Sequence, residues 1–260
     1  MFSSRILLAS AAAAVLVLQA DRADAMMRGE MVRIPAGSYV PLYGNGSNDR
    51  TVVSAFRIDR DAVTRAEYLA FVREHPEWSR SKVRSVMANR SRYLADWEGD
   101  FDIGAVVSRS APVTNVSWFS ARAFCEAKGK RLPTVSEWEY VAAASASVRD
   151  AARDLEFIQQ LVSIYVTRPA MLPSVMSGMT NAYGVRGLHG LVSEWVEDFN
   201  SVLVSDDSRG VGGRDHEFFC ASAAIGAVDP SNYPAFLRYA LRSGLNGRTT
   251  LQTMGFRCAV

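Results

Sequence analysis

The sequence has almost no excess charge of either sign. Its 260 residues include 29 Lys and Arg against 27 Asp and Glu, which gives a formal net charge of +2. It also has no run of five or more basic residues, so it lacks the positive face by which proteins bind nucleic acid. These absences predict that nucleic acid is not a partner.

Long apolar segments, repeats and linkers are missing from residues 26–260. No stretch there reaches the roughly 18 apolar residues that a membrane-spanning helix needs. No internal repeat or low-complexity tract divides this part of the chain, and its length suits one large domain. We therefore expect a single domain over residues 26–260, with no stable membrane insertion.

Cysteine and histidine are scarce. The three cysteines are Cys125, Cys220 and Cys258, and an oxidising compartment would allow two of them to pair, leaving one thiol. The three histidines do not show the short spacings that are typical of a metal site. Composition leaves open which cysteine is unpaired, and that residue matters most for function.

The first 25 residues differ in composition from the rest. Arg5 supplies a positive charge, residues 6–17 are dominated by Ala, Leu and Val, and the Ala-Asp-Ala at 23–25 resembles a signal-peptidase site. The pattern predicts a signal peptide over residues 1–25 and a mature protein that is periplasmic or secreted. A helical membrane anchor is the alternative, although the apolar segment is short for one.

Hydrophobic patterning predicts short strands and helices that are joined by long loops. Side chains that can cap a helix precede three segments whose apolar residues have helical spacing. The predicted elements are strands in 31–40 and 51–58, a helix over 65–73, an irregular segment over 74–111, a helix from Ser117 to Gly129, a helix from Thr134 or Ser136 into 141–146, a helix in 148–170, and loops with brief strands from 172 onward.

Four ordered blocks carry the strongest signal. The longest covers residues 112–140 and includes the run Lys-Arg-Leu-Pro-Thr-Val-Ser-Glu-Trp-Glu, and the others cover residues 61–71, 181–198 and 255–259. In this order and spacing they resemble the formylglycine-generating-enzyme superfamily, also called sulfatase-modifying factors. The resemblance implies an α+β fold: a single irregular, loop-rich domain that is distantly similar to the C-type lectin fold.

The resemblance also implies a disulfide. Cys125 and Cys258 match positions that are linked in some members of the superfamily. A bridge between them would tie the C-terminal segment to the second predicted helix. Two buried free thiols are the alternative.

The cysteine pair of sulfatase-activating members is not matched here. In those members a Gly-Gly-Ser segment precedes two cysteines that bind copper(I) and activate oxygen, because soft thiolates suit that ion. Here Gly212 and Gly213 are followed by Arg214, and Cys220 is the only cysteine of the segment. One thiolate cannot supply a two-thiolate copper site, so the sequence argues against conversion of cysteine to formylglycine.

His216 and Cys220 form the candidate catalytic pair. They lie four residues apart, so one helical turn would place both on the same face. Imidazole and thiolate together could hold copper or zinc, or His216 could favour the thiolate form of Cys220. The alternative is that Cys220, which follows Phe218 and Phe219, is a small buried apolar residue.

Calcium is the second cofactor that the resemblance implies. Many members hold Ca²⁺ with a loop before a Trp-Glu-Trp motif, and here Glu194 with the backbone carbonyls of Gly190 and Val192 would be the ligands. Leu191 and Ser193 depart from the family pattern at the asparagine and tryptophan positions. The alternative is that Glu194 makes a buried hydrogen bond or ion pair.

Three arginines near the C-terminal end are predicted to be structural. Arg238, Arg242 and Arg257 lie in or beside the last motif blocks, and an inward-facing guanidinium needs a carboxylate partner. The candidate partners are Glu139, Glu194, Glu197 and Asp198.

Three functions are consistent with these residues. The first is an oxygen-dependent maturation enzyme for a periplasmic protein or small-molecule substrate, as in the divergent pyoverdine-maturation and nitrite-reductase-accessory types that the chain resembles. The second is a non-catalytic binding or assembly module on the same fold. The third is a sulfatase-activating oxidase with a rearranged site.

Overall fold

The structure is a computed structural model that describes residues 30–42, 50–105, 108–167, 171–200 and 232–260. The predicted signal peptide at 1–25 and the candidate pair His216 and Cys220 lie outside these ranges and stay predictions. Within the ranges described, no helix is both long enough and apolar enough to cross a membrane.

Six short strands and five α-helices make up most of the regular structure in these ranges. In chain order they are β1 (Met31–Ile34), β2 (Gly37–Tyr39), β3 (Thr51–Val53), β4 (Phe56–Asp59), α1 (Arg65–Glu74), α2 (Trp118–Ala127), α3 (Val135–Ala142), α4 (Leu155–Val166), β5 (Ser193–Trp195), α5 (Tyr233–Ser243) and β6 (Met254–Phe256). Single 3₁₀ turns lie at Pro76–Trp78 and Val175–Ser177. Long irregular segments join these elements, which confirms the prediction of a loop-rich α+β domain.

The strands form three two-stranded sheets. β1 pairs with β4 and β2 pairs with β3, both antiparallel, so the predicted strand segments at 31–40 and 51–58 do lie side by side. Each segment is interrupted by a short break, which falls at Pro35 in the first segment because proline cannot donate to a ladder. β5 and β6 pair in parallel, with Glu194 opposite Gly255.

Capping boxes begin three of the helices. At α1 the backbone N–H of Glu67 donates to Oγ1 of Thr64 at 3.2 Å, and the Glu67 carboxylate accepts from the Thr64 N–H at 2.8 Å. Ser117 caps α2 and Thr134 caps α3 in the same reciprocal way. The predicted starts of these helices are therefore confirmed, with Thr134 rather than Ser136 as the cap of α3.

The helix predicted within 148–170 is shorter than the pattern suggested. It begins only at residue 155, because the Asp154 carboxylate accepts hydrogen bonds from the backbone N–H groups of Glu156 and Phe157 at 2.9 and 3.4 Å. Asp154 has an extended backbone, so it ends the preceding segment and satisfies the first turn of α4.

The prediction of loops and brief strands from residue 172 onward was wrong over α5. Asn232 caps this helix by accepting from the Ala235 N–H at 3.2 Å, and Pro234 occupies its first turn. Its buried face includes Ala235, Tyr239 and Arg242, which have helical spacing. Apolar and polar residues of α5 follow a clear helical period, so the pattern was present in the sequence. The prediction overlooked it because it weighed the Gly, Ser, Asn and Asp content of the whole segment after residue 172.

Aromatic side chains from distant parts of the chain meet in the centre of the core. Phe124 of α2 lies with its ring centroid 5.3 Å from those of Phe71 in α1 and Phe256 in β6. Tyr68 stacks on Phe124 at 5.8 Å and is itself fully buried. The core therefore joins α1, α2 and β6 directly.

The disulfide implied by the family resemblance is present. Cys125 of α2 is bonded to Cys258, and both residues are fully buried. The segment around Cys258 is also held by backbone hydrogen bonds, since Asp59 donates to the Cys258 carbonyl at 2.9 Å and Ala259 donates to Arg131 at 2.7 Å. The bridge thus fixes the C-terminal segment against both α2 and β4.

Removing this bridge should destabilise the protein strongly. The two cysteines are 133 residues apart, and opening a ring of that size restores unfolded-chain entropy that corresponds to about 5 kcal/mol. Urea unfolding of a Cys125→Ala/Cys258→Ala variant measures the loss, and reduced wild-type protein should unfold near the variant. Equal stability of the variant and the oxidised wild type would contradict the expectation.

Candidate functional site

Arg257 and Glu194 form a fully buried ion pair beside β5 and β6. Nε of Arg257 lies 2.8 Å from Oε2 of Glu194, Nη2 lies 2.8 Å from Oε1, and neither side chain is exposed. The other guanidinium hydrogens are donated to the backbone carbonyls of Asp59, Arg60 and Arg186. The planar guanidinium of Arg257 therefore connects β6 to β5 and to the end of β4.

Both carboxylate oxygens of Glu194 already accept hydrogen bonds. Besides the contacts from Arg257, the indole N–H of Trp138 donates to Oε2 at 2.8 Å. A Ca²⁺ ion prefers about six to eight oxygen ligands, and here it would approach a carboxylate that a guanidinium has neutralised. The described residues therefore do not fit a calcium ion at Glu194. We therefore assign no chemistry to calcium at this position.

The turn before β5 holds the other two predicted calcium ligands. Gly190 has a φ of +90°, and a Cβ at this position would lie 2.5 Å from Cγ2 of Ile164 in α4. Val192 is buried with Ala62 and Val175 in a small apolar cluster. Backbone conformation and close packing thus account for glycine at position 190 without a metal ion.

Glu139 of α3 is held between two arginines of α5. Oε2 lies 2.6 Å from Nη2 of Arg238, and Oε1 lies 2.5 Å from Nη1 of Arg242. Burial alone would raise the pKa of Glu139, but the two guanidinium charges and their hydrogen bonds outweigh burial and lower the pKa to about 2. Both arginines also lie over the Trp138 ring, at 5.4 and 5.0 Å from its centroid.

His189 lies beneath the same cluster. Its Nε2 is 3.0 Å from the Ala142 carbonyl, and its Nδ1 is 3.2 Å from the Tyr165 hydroxyl. Since a carbonyl can only accept, Nε2 carries the hydrogen and Nδ1 accepts from Tyr165. Burial, followed by the positive charge of Arg238, lowers the pKa of His189 to about 4. The ring is therefore neutral at physiological pH.

Buried acids in this region are matched by cations rather than grouped together. Asp59, for example, lies 2.6 Å from Nζ of Lys130. Among the residues that the structure describes, no three His, Cys, Asp or Glu side chains are placed so that they could hold a metal ion. The arrangement builds a rigid, charge-compensated layer between α3, α5 and β5.

The structure brings only part of the predicted site together. Glu194, Gly190 and Val192 lie close along one turn and strand, whereas Cys125 and Cys258 are joined elsewhere as a structural bridge. The predicted arginine partners are confirmed, with Glu139 for α5 and Glu194 for Arg257. His216 and Cys220 lie outside the described residues.

Sequence reasoning missed the buried environment of His189. Histidine spacing carried no metal signal, and beyond its backbone carbonyl as a further possible calcium ligand the sequence suggested no role for the His189 side chain. A usable signal is the stripe Phe157, Leu161 and Tyr165 on α4, because these positions share one helical face. The last residue of that face, Tyr165, carries a hydroxyl, and a buried hydroxyl needs a polar partner. In the structure that partner is His189.

These motifs and contacts match a known family. Residues 18–260 fit the family model described as "Sulfatase-modifying factor enzyme 1-like domain". The chain belongs to this family.

Several relatives of the chain are formylglycine-generating enzymes by name. The chain is 31% identical over 144 residues to "Inactive C-alpha-formylglycine-generating enzyme 2" of Bos taurus, which covers 43% of this chain and 48% of the relative. It is 28% identical over 163 residues to "Formylglycine-generating enzyme" of Streptomyces coelicolor, covering 57% and 52%. It is 25% identical over 175 residues to "Serine/threonine-protein kinase pkn1" of Chlamydia pneumoniae, covering 65% of this chain and 28% of that one. The chain thus spans about half or less of these relatives.

Solved structures with a similar chain path include two from bacteria. "Structure of PvdO from Pseudomonas aeruginosa" has a TM-score of 0.44 at 18% identity, covering 88% of this chain and 93% of that one. "Treponema denticola variable protein 1" has a TM-score of 0.48 at 18% identity, covering 88% and 94%.

The cysteines of this chain do not fit a two-thiolate copper site. The chain has three cysteines, and the disulfide between Cys125 and Cys258 uses two of them. Cys220 is therefore the single thiol that one chain can offer. We derive no step through a two-thiolate copper ion.

Replacing Glu194 tests whether it serves Arg257 or calcium. Glu194→Gln should destabilise the protein by about 3–5 kcal/mol, because Arg257 would stay charged in a fully buried position without its counter-ion. Urea unfolding with calcium and with chelator measures the effect, and Glu156→Gln on the exposed face of α4 is the matched control. A calcium-dependent gain in stability that Glu194→Gln abolishes would overturn the assignment.

The buried imidazole of His189 should make stability depend on pH. Its pKa is about 4 in the folded protein against an ordinary value of 6.5, so the unfolded chain binds the proton first as the pH falls. The free energy of unfolding should therefore fall between pH 6.5 and about 4, by on the order of 3 kcal/mol.

A His189→Gln variant isolates this contribution. Glutamine keeps a donor for the Ala142 carbonyl but does not titrate, so its unfolding free energy should depend less steeply on pH over that window. Urea unfolding at several pH values measures both slopes. Glu139, whose pKa is lowered from 4.5 to about 2, lowers the stability mainly below pH 4.5, and it does so equally in both proteins, so the difference between the two slopes belongs to His189. Identical slopes would show that another group is responsible.

Proposed function

We propose that this chain is an exported maturation factor that keeps the formylglycine-generating-enzyme scaffold but works without the two-cysteine copper site. Its substrate would be a periplasmic or secreted protein or small molecule. One observation carries the proposal: two of the three cysteines form the structural disulfide. A two-thiolate site would therefore need a second chain.

The proposed reactive residues are Cys220 and His216. A neighbouring imidazole can favour the reactive thiolate form of a cysteine, and the pair could also hold one soft metal ion such as copper. The disulfide supports this choice because it leaves Cys220 as the one thiol that is free for chemistry.

A non-catalytic binding or assembly module is the second candidate. The pairing of the buried acidic residues favours this candidate. Glu139, Glu194 and Asp59 each form an ion pair with a cation inside the core. None of the three is left to act as a general acid or base. One relative is named an inactive formylglycine-generating enzyme, which supports a role for this scaffold that does not involve that activity.

Three measurements on the oxidised, full-length exported protein test these candidates. A sulfatase-type cysteine peptide is incubated with the protein, copper(I) and oxygen, and the product is examined by mass spectrometry. Metal content and thiol trapping are then compared between wild type, Cys220→Ser and His216→Ala, with His75→Ala as the matched control. We expect no formylglycine above background, and a trappable thiol that Cys220→Ser removes.

The outcomes separate the candidates. Metal or thiol reactivity that depends on both Cys220 and His216 supports the maturation factor. A metal-free protein with an unreactive Cys220 supports the binding module instead. Aldehyde formation at the rate of a two-cysteine relative would overturn both and favour a sulfatase-activating oxidase with a rearranged site.

A further inference from the structure

An open groove with a volume of about 890 Å³ lies between a turn at 86–92, the first turn of α2 and the loop at 246–251. Binding sites of roughly 300–1,000 Å³ accommodate small molecules or short peptide segments. We propose that this groove binds an acidic segment of a partner polypeptide, with Arg92 and Arg248 as its carboxylate-binding residues. The proposal goes beyond the maturation function, because it holds whether or not the chain catalyses a reaction.

Backbone hydrogen bonds fix the walls of the groove. The Asn89 N–H donates to the Arg248 carbonyl at 2.9 Å, and the Arg92 N–H donates to the Asn89 carbonyl at 3.0 Å. The Trp118 N–H of α2 donates to the Gly247 carbonyl at 3.1 Å. Both arginines therefore project from segments that are tied to one another, which pre-organises the site for binding.

The charge of the groove selects an anion. Arg92 and Arg248 are exposed and line it, and no acidic residue of the described ranges does so. Neither guanidinium has an ion-pair partner in the part of the chain that the structure describes. Arginine binds a carboxylate through two parallel N–H donors, so two neighbouring arginines suit a ligand with more than one carboxylate.

The remaining lining residues favour a peptide over an isolated anion. Val86 is 56% exposed and Phe119 is half-buried, so both offer apolar surface to a neighbouring side chain. Asn89 and Asn246 are exposed, and their side-chain oxygens already accept from Ser91 and from the Arg248 N–H. Their amide hydrogens have no partner among the described residues and can donate to a peptide carbonyl.

A buried hydroxyl adds an independent sign of an absent polar partner. Thr250 lines the base of the groove with only 2% of its surface exposed. Its Oγ1 has no hydrogen-bond partner within the described ranges. Buried hydroxyls are normally bonded, so a small shift on ligand binding would supply the missing contact.

A binding assay on the full-length Cys220→Ser protein tests the groove without thiol chemistry. The probe is a fluorescein-labelled short peptide of alternating Glu and Leu, and the comparison peptide has Gln in place of each Glu. Saturable binding of the acidic peptide is expected, with affinity at least about tenfold higher than for the Gln peptide and weakened by added salt. No saturable binding, or equal binding of both peptides, would overturn the proposal.

Matched variants locate the site. An Arg92→Gln/Arg248→Gln protein should bind the acidic peptide at least about tenfold more weakly. Arg33→Gln, which removes an exposed arginine of β1 outside the groove, should bind within about twofold of the parent protein. Unfolding midpoints confirm that the variants are folded. An unchanged affinity in the double variant, or displacement of the peptide by succinate at equal concentration, would contradict a peptide site at these arginines.

Discussion

The buried contact between Arg257 and Glu194 is the interaction on which the arrangement of the strands depends. Burying two charges costs several kcal/mol, and only good geometry with further hydrogen bonds offsets that cost. Here every guanidinium N–H has an acceptor, either on the Glu194 carboxylate or on backbone carbonyls at the end of β4 and before β5. The short strands have few ladder hydrogen bonds, so this side chain supplies contacts that a larger sheet would provide through its backbone.

A second layer of compensated charge extends from this pair. Trp138 donates to Glu194 and lies under Arg238 and Arg242, which in turn bind Glu139. A neutral His189 completes the layer beneath. Charges that are matched in this way hold α3, α5 and β5 in one position, and they are poorly suited to proton transfer because their protonation states are fixed. Chemistry on this scaffold would therefore come from its loops rather than from its core.

The disulfide links the scaffold to that chemistry. Because Cys125 and Cys258 secure the C-terminal segment, the family fold is maintained while one thiol is left over. A fold that needs two cysteines for stability and two more for copper needs four, and this sequence has three. The groove that we propose at Arg92 and Arg248 does not depend on Cys220.

The sequence by itself determined three helix starts and the family. Thr64, Ser117 and Thr134 mark helix starts, because a cap acts on the N–H groups only two or three residues away. The family resemblance carried by the motif order implied the disulfide and the fold class, and the structure shows both. Only the tertiary structure decided that Glu194 binds Arg257, that Arg242 is buried against Glu139, and that Arg92 and Arg248 share a groove. Each of these depends on residues far apart in the chain, which no local pattern brings together.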